Sequence, residues 1–400
     1  MVSWRVGLHR DSVGPVSELA VEREHRVSPI ELFFDLVFAF AFTQVTTLWL
    51  EQSSWAGLGR GLLVLAVLWW VWASYAWLTN AADADAGIVT ATLLFATAAS
   101  FIAALAVPEA FGVHRLLFAV ALFAVLMAFV GLYALVARKE PQLLAAVLRM
   151  ARTLVPAAGL ILAAAFFSPT YEPALWALAL IVGFFGPQLA GLGGWRVEPA
   201  HFAERHGLIL IIAIGESLSA IGFGARDTHL GPAVITAVVL GLVVASSFWL
   251  GYFDFASSGV QQRLAESSGA QRTALARDAY TYAHLPMVAG IVLFAFAMRT
   301  ALQHVHATLS VIPAVALCCG SAVYLLAFVA IRWRVARTIG QGRPIAAVVF
   351  ALITLAAVAV PALVALALVA ATWLVLHAYE LIHWREERAR RRSADSPARA

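Results

Sequence analysis

Glu216 lies within a long apolar run of the sequence and is followed by Ser217 and Ser219. A charge at the centre of a membrane helix costs about 2.5–3.5 kcal/mol on insertion scales, so a carboxylate there needs a function or a partner. It can line a hydrated path, where it binds a cation or carries a proton. The structural alternative is a protonated or hydrogen-bonded acid that holds two helices together.

Glu31 and Asp35 form a second acidic group, four residues apart and therefore on one face of a predicted helix. Phenylalanine, leucine and valine surround Asp35 in the sequence, which excludes an ordinary surface position. We expect Asp35 to face the protein interior or to pair with a basic residue on the same side of the membrane. The candidate partners are Arg26, Arg149 and Arg152.

Polar residues continue along the helix that contains Asp35, with Thr43 and Gln44 in its outer half. Because polar side chains in a bilayer bond to polar groups on neighbouring helices, we expect this helix and the one with Glu216 to face each other. The stripe of Gly215, Ser219 and Gly222 predicts that another helix approaches closely at the same level. The predicted ion pathway consists of Glu31, Asp35, Thr43, Gln44, Glu216, Ser217 and Ser219.

Glu198, His201, Glu204 and His206 lie close together ahead of the Glu216 run, at a density that superficially resembles a metal site. No other cluster of ligands with suitable spacing accompanies them, so the polar start of a helix is the better interpretation. The sequence also lacks a nucleophile–base pair and a glycine-rich phosphate loop. We therefore predict no catalytic residue, no metal and no cofactor.

The composition indicates the class of protein. The chain has 400 residues, of which 62% are hydrophobic and 12% are charged, about half the charge of a soluble domain. This balance excludes an ordinary soluble enzyme, a disordered protein and a nucleic-acid partner. Apolar runs recur from residue 30 to residue 382, which predicts an all-α polytopic membrane protein. The expected partners are the lipid bilayer and a monovalent cation or proton, and an oligomer is left open.

A window of about 20 residues divides the chain into twelve candidate transmembrane helices. The stretch 345–382 has Pro361 near its middle and is too long for one crossing, so we divide it into two helices. The predicted spans are 30–50, 58–79, 87–107, 114–137, 143–167, 174–194, 205–224, 231–255, 279–298, 309–331, 345–360 and 362–382.

The basic residues predict the orientation. With the N-terminus inside, the cytoplasmic segments hold 23 of the 27 Lys and Arg residues, which is the usual bias of cytoplasmic loops. Both termini are then cytoplasmic, as a polar N-terminal tail over 1–29 and a basic C-terminal tail over 383–400. The predicted location is the bacterial cytoplasmic membrane.

A weak internal similarity predicts two repeats of six helices, over 30–194 and 195–382. An offset of 173 residues places Glu31 on Glu204 and Thr43 on Glu216. Because each half has an even number of helices, the two repeats would be parallel, related by an axis along the membrane normal.

Two motifs resemble signatures of the bacterial low temperature requirement A family. The first begins at Arg26 and continues through Glu31-Leu-Phe-Phe-Asp35 to Thr43-Gln44, and the second extends from His201 to Ser217. The resemblance covers about residues 22–385 and implies a multi-pass bacterial membrane protein associated with growth in the cold, without an established substrate. The second motif contributes the candidate residues His201, Glu204, Arg205 and His206.

Three hypotheses about function follow from these observations. The first is a transporter or channel for a cation or proton, with Glu216 as its central group and Asp35 at its cytoplasmic mouth. The second is an intramembrane enzyme that modifies lipids, and the third is a scaffold or sensor in which the buried acids only specify packing.

Overall fold

A computed structural model describes residues 27–189, 191–226, 228–254 and 257–383. Most of the two predicted tails, including Arg26, lies outside these residues. Within them the chain forms helices joined by short connections, with a single β-bridge between Thr308 and Pro361. The α-helices are α1 Pro29–Glu51, α2 Trp55–Ala81, α3 Gly87–Ala106, α4 Arg115–Ala137, α5 Pro141–Ala164, α6 Glu172–Leu189, α7 Pro199–Arg226, α8 Pro232–Phe253, α9 Ser257–Glu266, α10 Gly269–Leu275, α11 Ala283–Gln303, α12 Val311–Ala336, α13 Gly342–Ala357 and α14 Ala362–His383.

Every predicted span overlaps a helix. Ten helical stretches of the described chain are long and apolar enough to cross a membrane, and α6 and α13 are apolar but shorter. The chain is therefore an all-α, multi-pass membrane protein, and twelve crossings stay a prediction. Four helices begin with proline, whose missing N–H costs nothing at the first helical position. They are α1, α5, α7 and α8.

The stretch 345–382 consists of two helices, as predicted from Pro361. α13 ends at Ala357 and α14 begins at Ala362, directly after the proline. The two helices are antiparallel, because Arg343 at the start of α13 bonds to Glu380 near the end of α14 over 2.7 Å. Their connection lies beside the loop between α11 and α12, where the Ala362 N–H donates to the Ala307 carbonyl.

The predicted ninth span, 279–298, is wrong at its beginning. A continuous helical stretch starts at Gly269 and ends at Gln303. Its middle, Ala276–Tyr282, is a π-helix. The polar residues before 279 concealed this extension in the sequence because a hydropathy window detects only the apolar part of a helix.

The two halves of the chain pair their helices in the same way. In the first half α1 contacts α2 and α3, and α3, α4, α5 and α6 form a consecutive series of neighbours. In the second half α7 contacts α8 and α11, and α11, α12, α13 and α14 form the same kind of series. In addition, α2 contacts α6 in the first half, and α8 contacts α14 in the second half. A parallel duplication predicts this pattern, although the duplication itself stays a prediction.

The centre of the molecule lies where the two halves meet. α1 packs against α7 and α11, and α2 also contacts both of these second-half helices. α2 and α11 are the most enclosed spans, with 78% of their apolar windows buried. Polar side chains on the facing surfaces of α1, α2 and α7 are therefore removed from lipid.

Candidate functional site

The α1–α7 seam brings together the two polar groups that the sequence analysis expected to face each other. Glu31 and Asp35 of α1 bond to Arg205 of α7, and further along the seam Thr43 bonds to Glu216. The two helices are therefore parallel. The contacts form two clusters, an inner one around Arg205 and an outer one around Glu216.

Arg205 is the centre of the inner cluster. Its Nη1 donates to Glu31 Oε1 over 2.5 Å, and its Nη2 donates to Asp35 Oδ1 over 2.6 Å. All three side chains are at most 1% exposed. Buried charges persist only when they are paired and hydrogen-bonded, and one arginine here serves two acids.

Helix α2 supplies three further polar side chains to this cluster. Trp72 Nε1 donates to Asp35 Oδ1 over 2.9 Å, and Thr79 Oγ1 accepts from Arg205 Nη1 over 3.1 Å. Asn80 bonds to His201 at the start of α7. Trp72, Thr79 and Asn80 lie seven and eight residues apart, so they share one face of α2.

The hydrogen bonds around Asn80 determine the protonation of His201. Asn80 Oδ1 accepts from the Glu198 N–H over 2.7 Å, so its amide nitrogen faces His201 Nδ1 over 3.1 Å. Nδ1 must therefore accept, and the ring proton belongs on Nε2, which donates to Glu31 Oε2 over 3.2 Å. His201 is thus a neutral imidazole.

Several polar atoms of the seam have no hydrogen-bond partner in the described structure although they are buried. Asp35 Oδ2 and Arg205 Nε are such atoms in the inner cluster, and Glu216 Oε1 and Ser217 Oγ are such atoms in the outer one. Unpaired buried polar atoms are uncommon, and each indicates a proton, a water, an ion or a catalytic role.

The outer cluster is built on Glu216, which is 3% exposed. Its Oε2 contacts Thr43 Oγ1 across the seam, and Thr43 Oγ1 also donates to the Ala39 carbonyl over 3.2 Å. Thr46 lies beside the same carboxyl group, and the charge of Arg299 reaches it from the outer end of α11. No ion pair of Glu216 is found in the described part of the chain.

An apolar layer separates the two clusters. Asp35 and Thr43 are eight positions apart, which corresponds to about 12 Å along a helix. The buried side chains of this interval include Phe38 and Phe42 of α1 and Ile209, Leu210 and Ala213 of α7. The interval between the inner and outer clusters is therefore lined mainly by apolar side chains.

Comparison with known proteins places the chain in a family. A family model described as bacterial low temperature requirement A protein matches residues 26–378. The chain belongs to this family. The uncharacterised protein RA0937 of Rhizobium meliloti (strain 1021) is 31% identical to this low temperature requirement A protein over 288 residues, which are 68% of this chain and 69% of that one. No solved structure matches the chain.

In this low temperature requirement A protein the two sequence motifs form the α1–α7 seam, but not every motif residue lies in it. Glu204 is exposed and accepts a hydrogen bond from the Val27 N–H at 3.3 Å. Gln44 is half-buried and joins neither cluster in the described structure. Ser219 is exposed and joins neither cluster in the described structure.

The prediction that another helix packs closely at Gly215, Ser219 and Gly222 is wrong for the described part of the chain. A methyl group built on Gly215 or Gly222 would meet nothing within 4 Å. The close approach on α7 lies instead at Gly224, where such a methyl group would come within 3.0 Å of Leu302. A small-residue stripe marks a helix surface that can be approached, and the global packing decides whether a neighbour occupies it.

The predicted partners of Asp35 are replaced by Arg205. Arg149 donates to the Gly193 carbonyl over 2.7 Å, and Arg152 is exposed. Arg26 lies outside the described residues. Arg205 was not among the predicted partners because the loop arginines on the same side of the membrane are equally close to Asp35 in a topology diagram.

His206 begins a third group of buried polar rings beside the inner cluster. Its Nδ1 donates to the Phe202 carbonyl over 2.8 Å, and its ring meets that of His284 at 5.1 Å between centroids. His284 Nε2 accepts from Tyr252 over 3.0 Å, and its ring stacks on Tyr280 of the π-helix. The described residues contain no group of three or more His, Cys, Asp or Glu side chains that could hold a metal ion.

Proposed function

We propose that this protein moves a proton or a monovalent cation across the bilayer along the seam between α1 and α7. One observation carries the proposal: Glu216, an acid buried in the middle of a membrane helix, bonds to Thr43 of the facing helix without an ion-pair partner in the described chain. Buried ionisable residues of this kind mark ion and proton pathways in membrane proteins.

The two clusters support a gated pathway rather than a permanently open pore. The inner cluster presents charged groups at one end of the seam, and the outer cluster presents Glu216 and Ser217. An apolar layer between them disfavours the passage of water. An ion moving along the seam therefore requires a movement of α1 relative to α7, as in alternating-access transport.

The orientation forms part of the proposal. We place the chain in the bacterial cytoplasmic membrane with the Arg205 cluster on the cytoplasmic side, because the basic residues are concentrated in segments at that end. Contacts between these segments support the assignment of ends, since Arg196 bonds to Glu140 and Arg272 bonds to the Val197 carbonyl. The proposed activity is transport, without covalent chemistry on the substrate.

The test is ion flux into liposomes that contain the purified protein. Proton, potassium and sodium gradients are imposed in turn, and wild type is compared with Glu216→Gln, which preserves the shape of the side chain. We expect flux of one ion by wild type and a loss of about 100-fold or more in the variant, the scale of a removed proton-transfer group.

Ser219→Ala is the matched control, because Ser219 lies on the same helix but its side chain is exposed. Its flux should equal that of wild type. Well-folded wild-type protein without flux of any of the three ions would overturn the proposal, and so would unchanged flux in Glu216→Gln.

A further inference from the structure

We infer that Asp35 and Glu216 each hold a proton and that the ion carried along the seam is a proton rather than a metal cation. The inference rests on the proposed function and specifies its substrate. It follows from the hydrogen bonds of the two clusters and from the balance of charge within the inner one.

The inner cluster has an excess of negative charge if both of its acids are ionised. Among the described residues Glu31 and Asp35 supply two negative charges and Arg205 supplies one positive charge, while His201 Nδ1 accepts from Asn80 and so adds none. An uncompensated charge in a fully buried site is strongly unfavourable. One proton bound to the cluster restores neutrality.

The hydrogen bonds indicate which acid takes that proton. Both oxygens of Glu31 accept bonds, Oε1 from Arg205 and Oε2 from His201 and the Ser28 N–H, so this acid is held as a carboxylate. Both bonds to Asp35 go to Oδ1, and Oδ2 is buried without a partner. The proton therefore belongs on Asp35 Oδ2.

Glu216 shows the same pattern in the outer cluster. The Thr43 hydroxyl has one hydrogen, yet Thr43 Oγ1 lies within bonding distance of both the Ala39 carbonyl and Glu216 Oε2. Both contacts are hydrogen bonds at once if Glu216 is protonated and donates to Thr43, which in turn donates to Ala39. The other oxygen of Glu216 has no partner in the described structure.

A metal cation is a poor occupant of either position. Sodium and potassium need several oxygen ligands to replace their hydration shell. At Asp35 the Arg205 guanidinium already lies 2.6 Å from the carboxyl group and would repel a second cation in a medium of low dielectric constant. At Glu216 the oxygens of Thr43, Thr46 and Ser217 are too few to form a complete shell.

Two measurements on the purified protein test the inference. Infrared spectroscopy detects the carbonyl band of a protonated carboxylic acid, and liposome flux identifies the ion. We expect Asp35→Asn and Glu216→Gln each to remove one such band at neutral pH. Each should also reduce proton flux by about 100-fold, the contribution of a proton-transfer group. If Asp35→Asn does not fold, Glu216→Gln gives the same test at the second acid.

Glu172 offers a matched control at the start of α6. It is fully buried, and neither of its oxygens has a partner in the described structure, but it lies away from the α1–α7 seam. Glu172→Gln should leave proton flux at the wild-type level. A loss of flux in this variant equal to that of Glu216→Gln would overturn the assignment to the seam.

The outcomes separate the inference from the function on which it rests. Potassium or sodium flux that Glu216→Gln abolishes, with no infrared band lost in either variant, would overturn the inference and leave transport along the seam intact. Absence of all flux would overturn both. Proton flux accompanied by the loss of both bands is the expected result.

Discussion

The guanidinium of Arg205 on α7 lies 2.6 Å from the carboxyl group of Asp35 on α1, and both side chains are fully buried. This bond connects the two halves of the chain at the inner end of their shared seam. Asp35 and Glu31 both depend on the same arginine, so the three side chains act as one unit. Loss of Arg205 should therefore affect both acids.

Replacement of Arg205 by Met should destabilise the protein by about 3–5 kcal/mol, because the buried Glu31 carboxylate loses its cation and Asp35 loses a hydrogen-bond donor. Adding Glu31→Gln to this variant should restore part of the loss, since it removes the unpaired carboxylate. Thermal unfolding in detergent measures both effects. Arg152→Met is the control, because Arg152 is exposed. Equal losses at Arg205 and Arg152 would contradict the assigned pairing.

Glu216→Leu should be at least as stable as wild type and inactive in flux. The leucine avoids burial of a polar group, and Thr43 keeps its bond to the Ala39 carbonyl. Unfolding in detergent and liposome flux are measured on the same preparation. If the protein were a scaffold or sensor in which Glu216 only specifies packing, the Glu216→Leu protein would keep the function of wild type.

Asn80→Asp should convert His201 from a neutral to a protonated ring. In wild type the Asn80 amide donates to His201 Nδ1, whereas an aspartate would accept a hydrogen bond from a protonated Nδ1. Nitrogen-15 NMR of labelled histidine at neutral pH reports the two forms. Asn80→Leu, which provides no acceptor, should keep the ring neutral. A doubly protonated His201 in wild type would contradict the charge balance of the inner cluster.

Trp72→Phe should cost about 1–3 kcal/mol of stability, because Asp35 loses a buried hydrogen-bond donor. The Arg205 guanidinium also lies over the Trp72 ring, at 5.9 Å from its centroid. Trp249→Phe provides the comparison, since Trp249 is 46% exposed on the outer surface of α8. Denaturation midpoints that change equally in the two variants would exclude a special role for Trp72.

Gly290→Ala should destabilise the packing of α11 on α12 by about 1–3 kcal/mol, the usual cost of overpacking. The added methyl group would lie 2.4 Å from the Gly320 carbonyl oxygen. Gly215→Ala should be neutral or stabilising by about 0.5–1 kcal/mol, because alanine favours a helix and meets no neighbour there. Melting temperatures in detergent compare the two. A large loss at Gly215 would show that its face is covered in the assembled protein.

The positions of the helices were largely predictable from the sequence. Runs of about 20 apolar residues have to form helices in a bilayer, because no water is present to bond the backbone. Pro361 correctly divided the last apolar stretch into α13 and α14. The start of the helix at Gly269 was missed, since its first turns are polar and lie outside the apolar window.

The sequence by itself determined that Asp35 and Glu216 are acids inside membrane helices, and the cost of such charges marked them as the candidate site. Only the tertiary structure decided their partners. Arg205, Trp72, Thr79 and Asn80 reach the inner cluster because α2 and α7 pack against α1, and Ser219 joins neither cluster because its side chain is exposed. Hydropathy is a property of each segment, whereas a hydrogen bond between helices depends on the rotation of both, which is set by packing across the whole molecule.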